Sequence, residues 1–350
     1  MNKTVLMVGN FLSTTHGVRG VGEELALRLP PLGWPVVTTS CEPRRWLRLF
    51  DMLQTAWRLR ATYAVAQVDV FSGAAFLWAE AVCGLLQWVG KPYVLTLHGG
   101  NLPAFARRWP RRVRRLLASA VTVTAPSGYL REQLRAYRAD IRMQPNPLEL
   151  ACYPFRWRTE AAPRLIWLRA FHHMYNPTLA PKVLARLIPE FPALTLTMIG
   201  PDKGDGSLAA VRETAAALGV AERITYTGAV PKPEVGVYLN RGDIFLNTTN
   251  VDNTPVSVLE AQACGLCVVS TEAGGLPYLL EHETNALLVP VGEVEAMAAA
   301  VRRLLTEPAL AAHLSKQARL HAARFDWTQI LPQWDALLTQ VVARTERQRA

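Results

Sequence analysis

The stretch "NVDNTPVSVLEAQACGLCVVSTEAGGLPYLL", residues 250–280, decides how the rest of the chain is read. Thr254 followed by Pro255 has the form of an N-cap and a proline at the first helical position. The residues that follow are apolar at helical spacing, with one carboxylate, Glu260, inside the run. "LCVVST" then reads as a short β-branched strand, and Gly274-Gly275 as a turn. A helix feeding directly into a buried strand is one half of an α/β repeat.

The same rhythm runs outward in both directions. Before the opening stretch come the strands "RLIWLRAF", "LTLTMIGP", "RITYTGAV" and "DIFLNTT", with helices between them; after it comes "ALLVPVG". Further upstream, "TVLMVGNF", "WPVVTTS", "AQVDVFSG", "PYVLTLHGG" and "AVTVTAPS" alternate with helical patterns in the same way. Short apolar strands separated by helices imply parallel sheets covered on both faces. The chain has 350 residues, too many for one ordinary core, so two domains are expected. The reading is two doubly wound α/β domains in tandem, residues 1–158 and 159–326, with ligands at the carboxyl ends of the strands. The irregular segment 151–163 would link them. The tail 327–350 is an amphipathic helix expected to pack back on the first domain.

Half the residues are hydrophobic and 19% are charged, as suits a globular protein. The N-terminal apolar run is too short for a secretory h-region. "AAFLWAEAVCGLLQWVG", residues 74–90, is short for a membrane span, carries Glu80 and lies between two strands, so a buried helix is expected there. Five cysteines without framework spacing point to a reducing compartment, the cytoplasm. Cys264 and Cys267 form a Cys-x-x-Cys, but no second ligand pair follows, and no metal or redox role is expected of them.

Charge is uneven: 21 Lys and Arg face 10 Asp and Glu over residues 1–160, against 17 and 18 over 161–350. Two basic amphipathic helices, 44–60 and 105–120, hold much of the excess, with arginines interleaved with tryptophans in the first. They could lie on an anionic membrane surface, or be solvated faces of buried helices. No recognition motif accompanies the charge, so nucleic acid is not expected as a partner.

A capped helix entrance at the strand ends offers free backbone N–H groups to an anion such as phosphate. With an anion there, Glu260 and Asp252 could accept hydrogen bonds from vicinal hydroxyls, an arrangement that suits a nucleotide sugar. The same residues also read as a cap helper and a partly exposed helix carboxylate.

Residues 250–289 resemble the signature region of the retaining glycosyltransferases of family 4, which have the GT-B fold of two Rossmann-like domains facing across a cleft. The family pattern is an acid, seven residues, Glu, then a small-residue Cys-Gly run, a strand and a Gly-Gly turn. Here it is Asp252, Glu260 and "AQACGLCVVSTEAGG". The resemblance implies that Glu260 holds the donor ribose, Asp252 faces the sugar, and amides near Val256 and Ser257 meet the diphosphate. It extends to Gly17 in "HGVRGVGEELALRL" as a phosphate contact, and to Gly228 in "TYTGAV" beside the base. By the same resemblance His98 in "VLTLHGGN" lies beside the transferred sugar, and Arg169 in "LIWLRAF" neutralises the leaving diphosphate. The sequence departs from the pattern where a lysine usually follows that arginine: "RAFHHMYNP" offers His172 and Tyr175 instead, and Lys203 lies downstream. The first acid is Asp rather than Glu, and Tyr278 stands where an acid is common.

The implied activity is transfer of a hexose from a nucleoside diphosphate sugar to an acceptor hydroxyl, with retention, by front-face attack and without cofactor or metal. The acceptor would be a lipid-linked glycan or polysaccharide precursor, or else a soluble or protein acceptor, with the enzyme on the inner face of the cell membrane. A nucleotide-sugar epimerase and a non-catalytic nucleotide-sugar-binding scaffold are the alternatives.

Overall fold

The computed structural model describes residues 3–12 and 20–349. The chain divides into two compact units, Met1–Pro147 with Thr328–Ala350, and Leu148–Trp327.

In the first unit the strands are β1 (Val5–Val8), β2 (Val36–Thr39), β3 (Val65–Val70), β4 (Tyr93–Leu97), β5 (Thr122–Ala125) and β6 (Arg142–Met143). They form a parallel sheet in the order β2-β1-β3-β4-β5-β6. β1, β4 and β5 are buried along their whole length, so both faces must be covered. The helix Ala74–Trp88 supplies part of that cover, burying Phe76, Ala79, Val82, Cys83 and Leu86 in the core beside Leu95 and Val68. Its single carboxylate, Glu80, accepts both forks of the Arg112 guanidinium. This segment is thus a core helix, and no helix among the described residues is long and apolar enough to cross a membrane.

The basic stretch 105–120 is two helices, Leu102–Arg108 and Pro110–Ser119, rather than one. Pro110 has no N–H and disfavours helical backbone at the residue before it; Trp109 accordingly lies at φ −129°, ψ 55°.

The second unit contains β7 (Arg164–Leu168), β8 (Thr195–Ile199), β9 (Ile224–Gly228), β10 (Ile244–Asn247), β11 (Cys267–Thr271) and β12 (Leu287–Val289). All pairs are parallel, in the order β12-β11-β10-β7-β8-β9. Counted from β7, this is the strand order of a dinucleotide-binding sheet, which reverses between β7 and β10. Crevices for ligands form beyond the carboxyl ends of such a pair.

The irregular segment from Leu148 onward is tied into the second unit. Arg158 is fully buried and points at Asp243 and the carbonyls of Gly242 and Cys264. Arg156 and Arg164 also reach the Asp243 carboxylate, each at 2.7 Å. A buried carboxylate surrounded by three guanidinium groups fixes this segment far more firmly than its composition suggests.

Candidate functional site

The carboxyl ends of β7 and β10 carry the residues singled out in the opening stretch. Arg169 follows β7 directly, and its guanidinium forms an ion pair with Asp252, which lies in the loop after β10. The flat face of Arg169 rests on the Tyr175 ring, 4.0 Å from its centroid. Burial pushes the Asp252 carboxyl above its ordinary range, while the Arg169 charge pulls the other way.

The Asp252 loop is held from behind by the Gly-Gly turn. Gly275 N–H donates to Asp252 O at 2.9 Å. A Cβ at Gly275 would lie 1.8 Å from the Asn253 carbonyl oxygen, so only glycine fits there.

The helix Val256–Ala263 begins one residue later than expected, with Pro255 at the cap. Thr254 makes no cap hydrogen bond; its hydroxyl and that of Ser257 are buried with no partner among the described residues, as is Arg169 Nε. Buried polar groups are nearly always satisfied, so three orphans at one end of a sheet, next to a helix N-terminus, need an explanation. An anion would satisfy all three kinds of group.

Glu260 is 4% exposed. Its Oε1 accepts from Tyr153 OH at 2.8 Å and from the Lys232 ammonium. Neither partner was apparent from the sequence. Tyr153 lies in the irregular segment and Lys232 in the loop after β9, 107 and 28 residues away. The candidates weighed in place of the family lysine have other positions: Tyr175 lies under Arg169, His172 faces Asp205, and Lys203 is exposed. Gly228 ends β9, exposed, at φ +68°, and its carbonyl accepts from Gly200 N–H. The helix that carries Glu260 is braced by Gln262, which donates to Asn285 O and faces His321 Nδ1 at 2.8 Å. Burial pushes the His321 imidazole down to about 4.

Cys264 and Cys267 are buried thiols pushed up to about 12 by burial, and they face different carbonyls, Gly236 O and Ala311 O. Nothing in this geometry makes them a pair.

In the first unit, His98 follows β4. Its Nε2 lies 3.0 Å from Asp69 Oδ1, and its ring stacks on Phe71. A carboxylate only accepts, so Nε2 carries a proton here. Gln67 Nε2 also donates to Asp69, at 2.7 Å. Asp69 therefore holds the His98 ring in place, a contact not apparent from the sequence. Its signal was a carboxylate in the largely apolar strand "VAQVDV", whose other polar residue is Gln67. Beside it a small pocket opens where this sheet's strand order reverses, lined by Gly9, Asn10, Asp69, Phe71 and Trp78. Gly17 lies outside the described residues.

Of the basic arginines, Arg48 is turned inward and Arg112 is half-exposed and paired with Glu80. Arg48 is buried and donates to Asn10 Oδ1 and to the carbonyls of Glu42 and Pro43. Arg107, Arg108, Arg111 and Arg115 remain exposed, as do Trp46 and Trp88 at 81% and 73%. Trp88 stacks on Trp57, which in turn lies beneath Arg60.

Comparison with known proteins places the chain in a family. Residues 156–321 match the model of glycosyl transferases group 1, and residues 17–151 that of glycosyltransferase family 4. The D-inositol 3-phosphate glycosyltransferase of Mycobacteroides abscessus is 30% identical over 161 residues, 45% of this chain and 36% of that protein. The amylovoran biosynthesis glycosyltransferase AmsK of Erwinia amylovora is 39% identical over 108 residues, 29% of this chain and 26% of its own. The chain thus spans well under half the length of these curated relatives. Among solved structures, sucrose-phosphate synthase from Thermosynechococcus elongatus shares the fold with a TM-score of 0.81 and 18% identity, over 98% of this chain and 100% of that one. Anabaena Alr3699/HepE, solved in complex with UDP, does so at 0.75 and 17% identity, over 97% and 100%. The fold is GT-B, two Rossmann-like units in tandem, and with both family models matched across most of its length the chain belongs to the group 1 glycosyltransferases of family 4.

Proposed function

We propose that the protein transfers a hexose from a nucleoside diphosphate sugar to an acceptor hydroxyl, with retention of anomeric configuration and without a metal in the transfer step. The observation that carries this reading is the trio of orphaned buried groups, Arg169 Nε, Thr254 Oγ1 and Ser257 Oγ, at the entrance of the helix Val256–Ala263. The diphosphate would sit there, with the amides at Val256 and Ser257 and the Arg169 charge stabilising it as it leaves. Glu260 would bind the ribose hydroxyls through an oxygen now shared by Tyr153 and Lys232. Gly228 would border the base, and Asp252 the hexose. His98, held by Asp69, would address the transferred sugar through Nδ1.

UDP and UDP-glucose complexes of Anabaena Alr3699/HepE make uridine nucleotides the first to try. AmsK's part in amylovoran biosynthesis favours a polysaccharide precursor or lipid-linked glycan as acceptor. Exposed tryptophans among arginines on the first unit suit an anionic membrane surface, on the cytoplasmic side. In a front-face transfer the leaving diphosphate oxygen would take the acceptor proton.

Incubation with a panel of nucleoside diphosphate sugars and glycan acceptors, read by NMR of the product, tests this directly. An α-linked product from an α-configured donor is expected. An inverted linkage would contradict retention. An epimeric donor accumulating without acceptor would assign an epimerase, and binding without turnover a non-catalytic role.

A further inference from the structure

Beyond β7, where the family lysine is missing, the chain places two histidines and an aspartate together. His172 and His173 are adjacent in sequence, their rings 4.2 Å apart. Asp205 comes from the loop between β8 and the helix Ser207–Ala217. Its Oδ2 lies 3.1 Å from His173 Nδ1 and 3.9 Å from His172 Nε2, and all three ligand atoms fall within 4.8 Å of one another. Bonds of about 2.0–2.2 Å from a zinc-like ion to nitrogen and oxygen bring donor atoms to about 3.0–3.5 Å apart, so little closing is needed. The carboxylate is already fixed, because His173 N–H donates to Oδ2 at 2.8 Å and Ser207 N–H to Oδ1 at 3.0 Å.

We propose that His172, His173 and Asp205 form a binding site for a divalent first-row transition ion, with Zn²⁺ as its representative. Two imidazoles and one carboxylate select such ions over Mg²⁺ and Ca²⁺, which prefer all-oxygen shells. Three protein ligands leave at least one position open to water or a phosphate oxygen.

Binding through His172 Nε2 requires the ring proton to sit on Nδ1, so the 3.2 Å bond from Met174 N–H to that atom is given up. The neighbouring bonds of this turn remain: Met174 O accepts from Asn250 N–H, and Tyr175 O from Thr248 Oγ1. Since the Tyr175 ring lies under Arg169, the ion would join the loop after β8 to the turn that positions Arg169. The ion is thus a positioning element, and the transfer chemistry proposed above proceeds without it. This role rests on that reading; the binding itself does not.

The test is calorimetric titration of the untagged full-length protein with Zn²⁺, with Mg²⁺ as control and Co²⁺ as a spectroscopic reporter. One tightly bound Zn²⁺, no heat from Mg²⁺, and Co²⁺ absorption without thiolate charge-transfer bands are expected. His173→Ala and Asp205→Asn should each weaken Zn²⁺ at least tenfold; the His173→Ala protein should melt as wild type without the ion, since that side chain is exposed, whereas Asp205→Asn also gives up one backbone acceptor. Absence of Zn²⁺ binding, or equal affinity in the variants, would overturn the site. Sugar transfer in EDTA is a separate arm: its loss would refute the metal-free step of the proposed function and leave the binding site standing.

Discussion

Arg169 and Asp252 are joined in an ion pair, yet among the described residues Arg169 Nε has no partner. A guanidinium with one nitrogen bonded to a carboxylate and another unsatisfied can take a second anion. Arg169→Ala is expected to lower kcat by about 10²–10³-fold, as loss of one preorganised charge-stabilising group does. Steady-state kinetics with the best donor checks this; an unchanged kcat would remove Arg169 from leaving-group stabilisation. That Asp252, Val256, Ser257 and Glu260 share one loop and one helix was legible from their spacing, whereas the roles given to them rest on the family resemblance. Asp69, Tyr153 and Lys232 were not legible in that way. Each meets its partner through tertiary contact, and no local pattern marks Tyr153 or Lys232 as neighbours of Glu260.

At the scale of elements, the helix Val256–Ala263 is buried on nearly every side, so its orientation depends on the elements packed around it. One of these is the helix Pro308–Ala323, whose His321 faces Gln262. With its imidazole held down at about 4 against an ordinary 6.5, the unfolded chain binds more protons between those values. Stability from this group is therefore complete above about pH 6.5 and falls as pH drops towards 4, by at most about 3 kcal/mol for a half-buried ring. Urea unfolding at pH 7.5 and 4.5 should show His321→Leu losing less stability than wild type over that interval; equal losses would exclude His321 as the cause. The strands were legible from their apolar runs, except β6, whose two residues carry no pattern. The break at Pro110 was written in the sequence, but the arginines on both sides continue one amphipathic pattern across it.

For the whole molecule, the charge asymmetry between the two halves remains after the buried Arg48 and the Glu80-paired Arg112 are set aside. What remains on the first unit is an exposed set of arginines with Trp46, Phe50 and Trp88, an aromatic and cationic surface suited to lipid headgroups. Co-sedimentation should show binding to vesicles containing anionic lipid and not to neutral ones. A Trp46→Ala, Trp88→Ala double variant should bind several-fold more weakly at equal salt; equal binding would set this surface aside. The two-unit architecture was legible because the strand–helix rhythm restarts. The tying of residues 148–158 to the second unit was not, since it depends on Arg158 burying itself against Asp243. The most direct test of nucleotide binding by the second unit is calorimetric titration of UDP, with GDP and ADP as comparisons, into wild type and Glu260→Ala. One nucleotide should bind wild type selectively and lose about tenfold or more in affinity in the variant, the equivalent of about 1.4 kcal/mol. No binding of any nucleotide to the folded wild-type protein, or equal affinity in both proteins, would contradict the assignment of Glu260 to the donor.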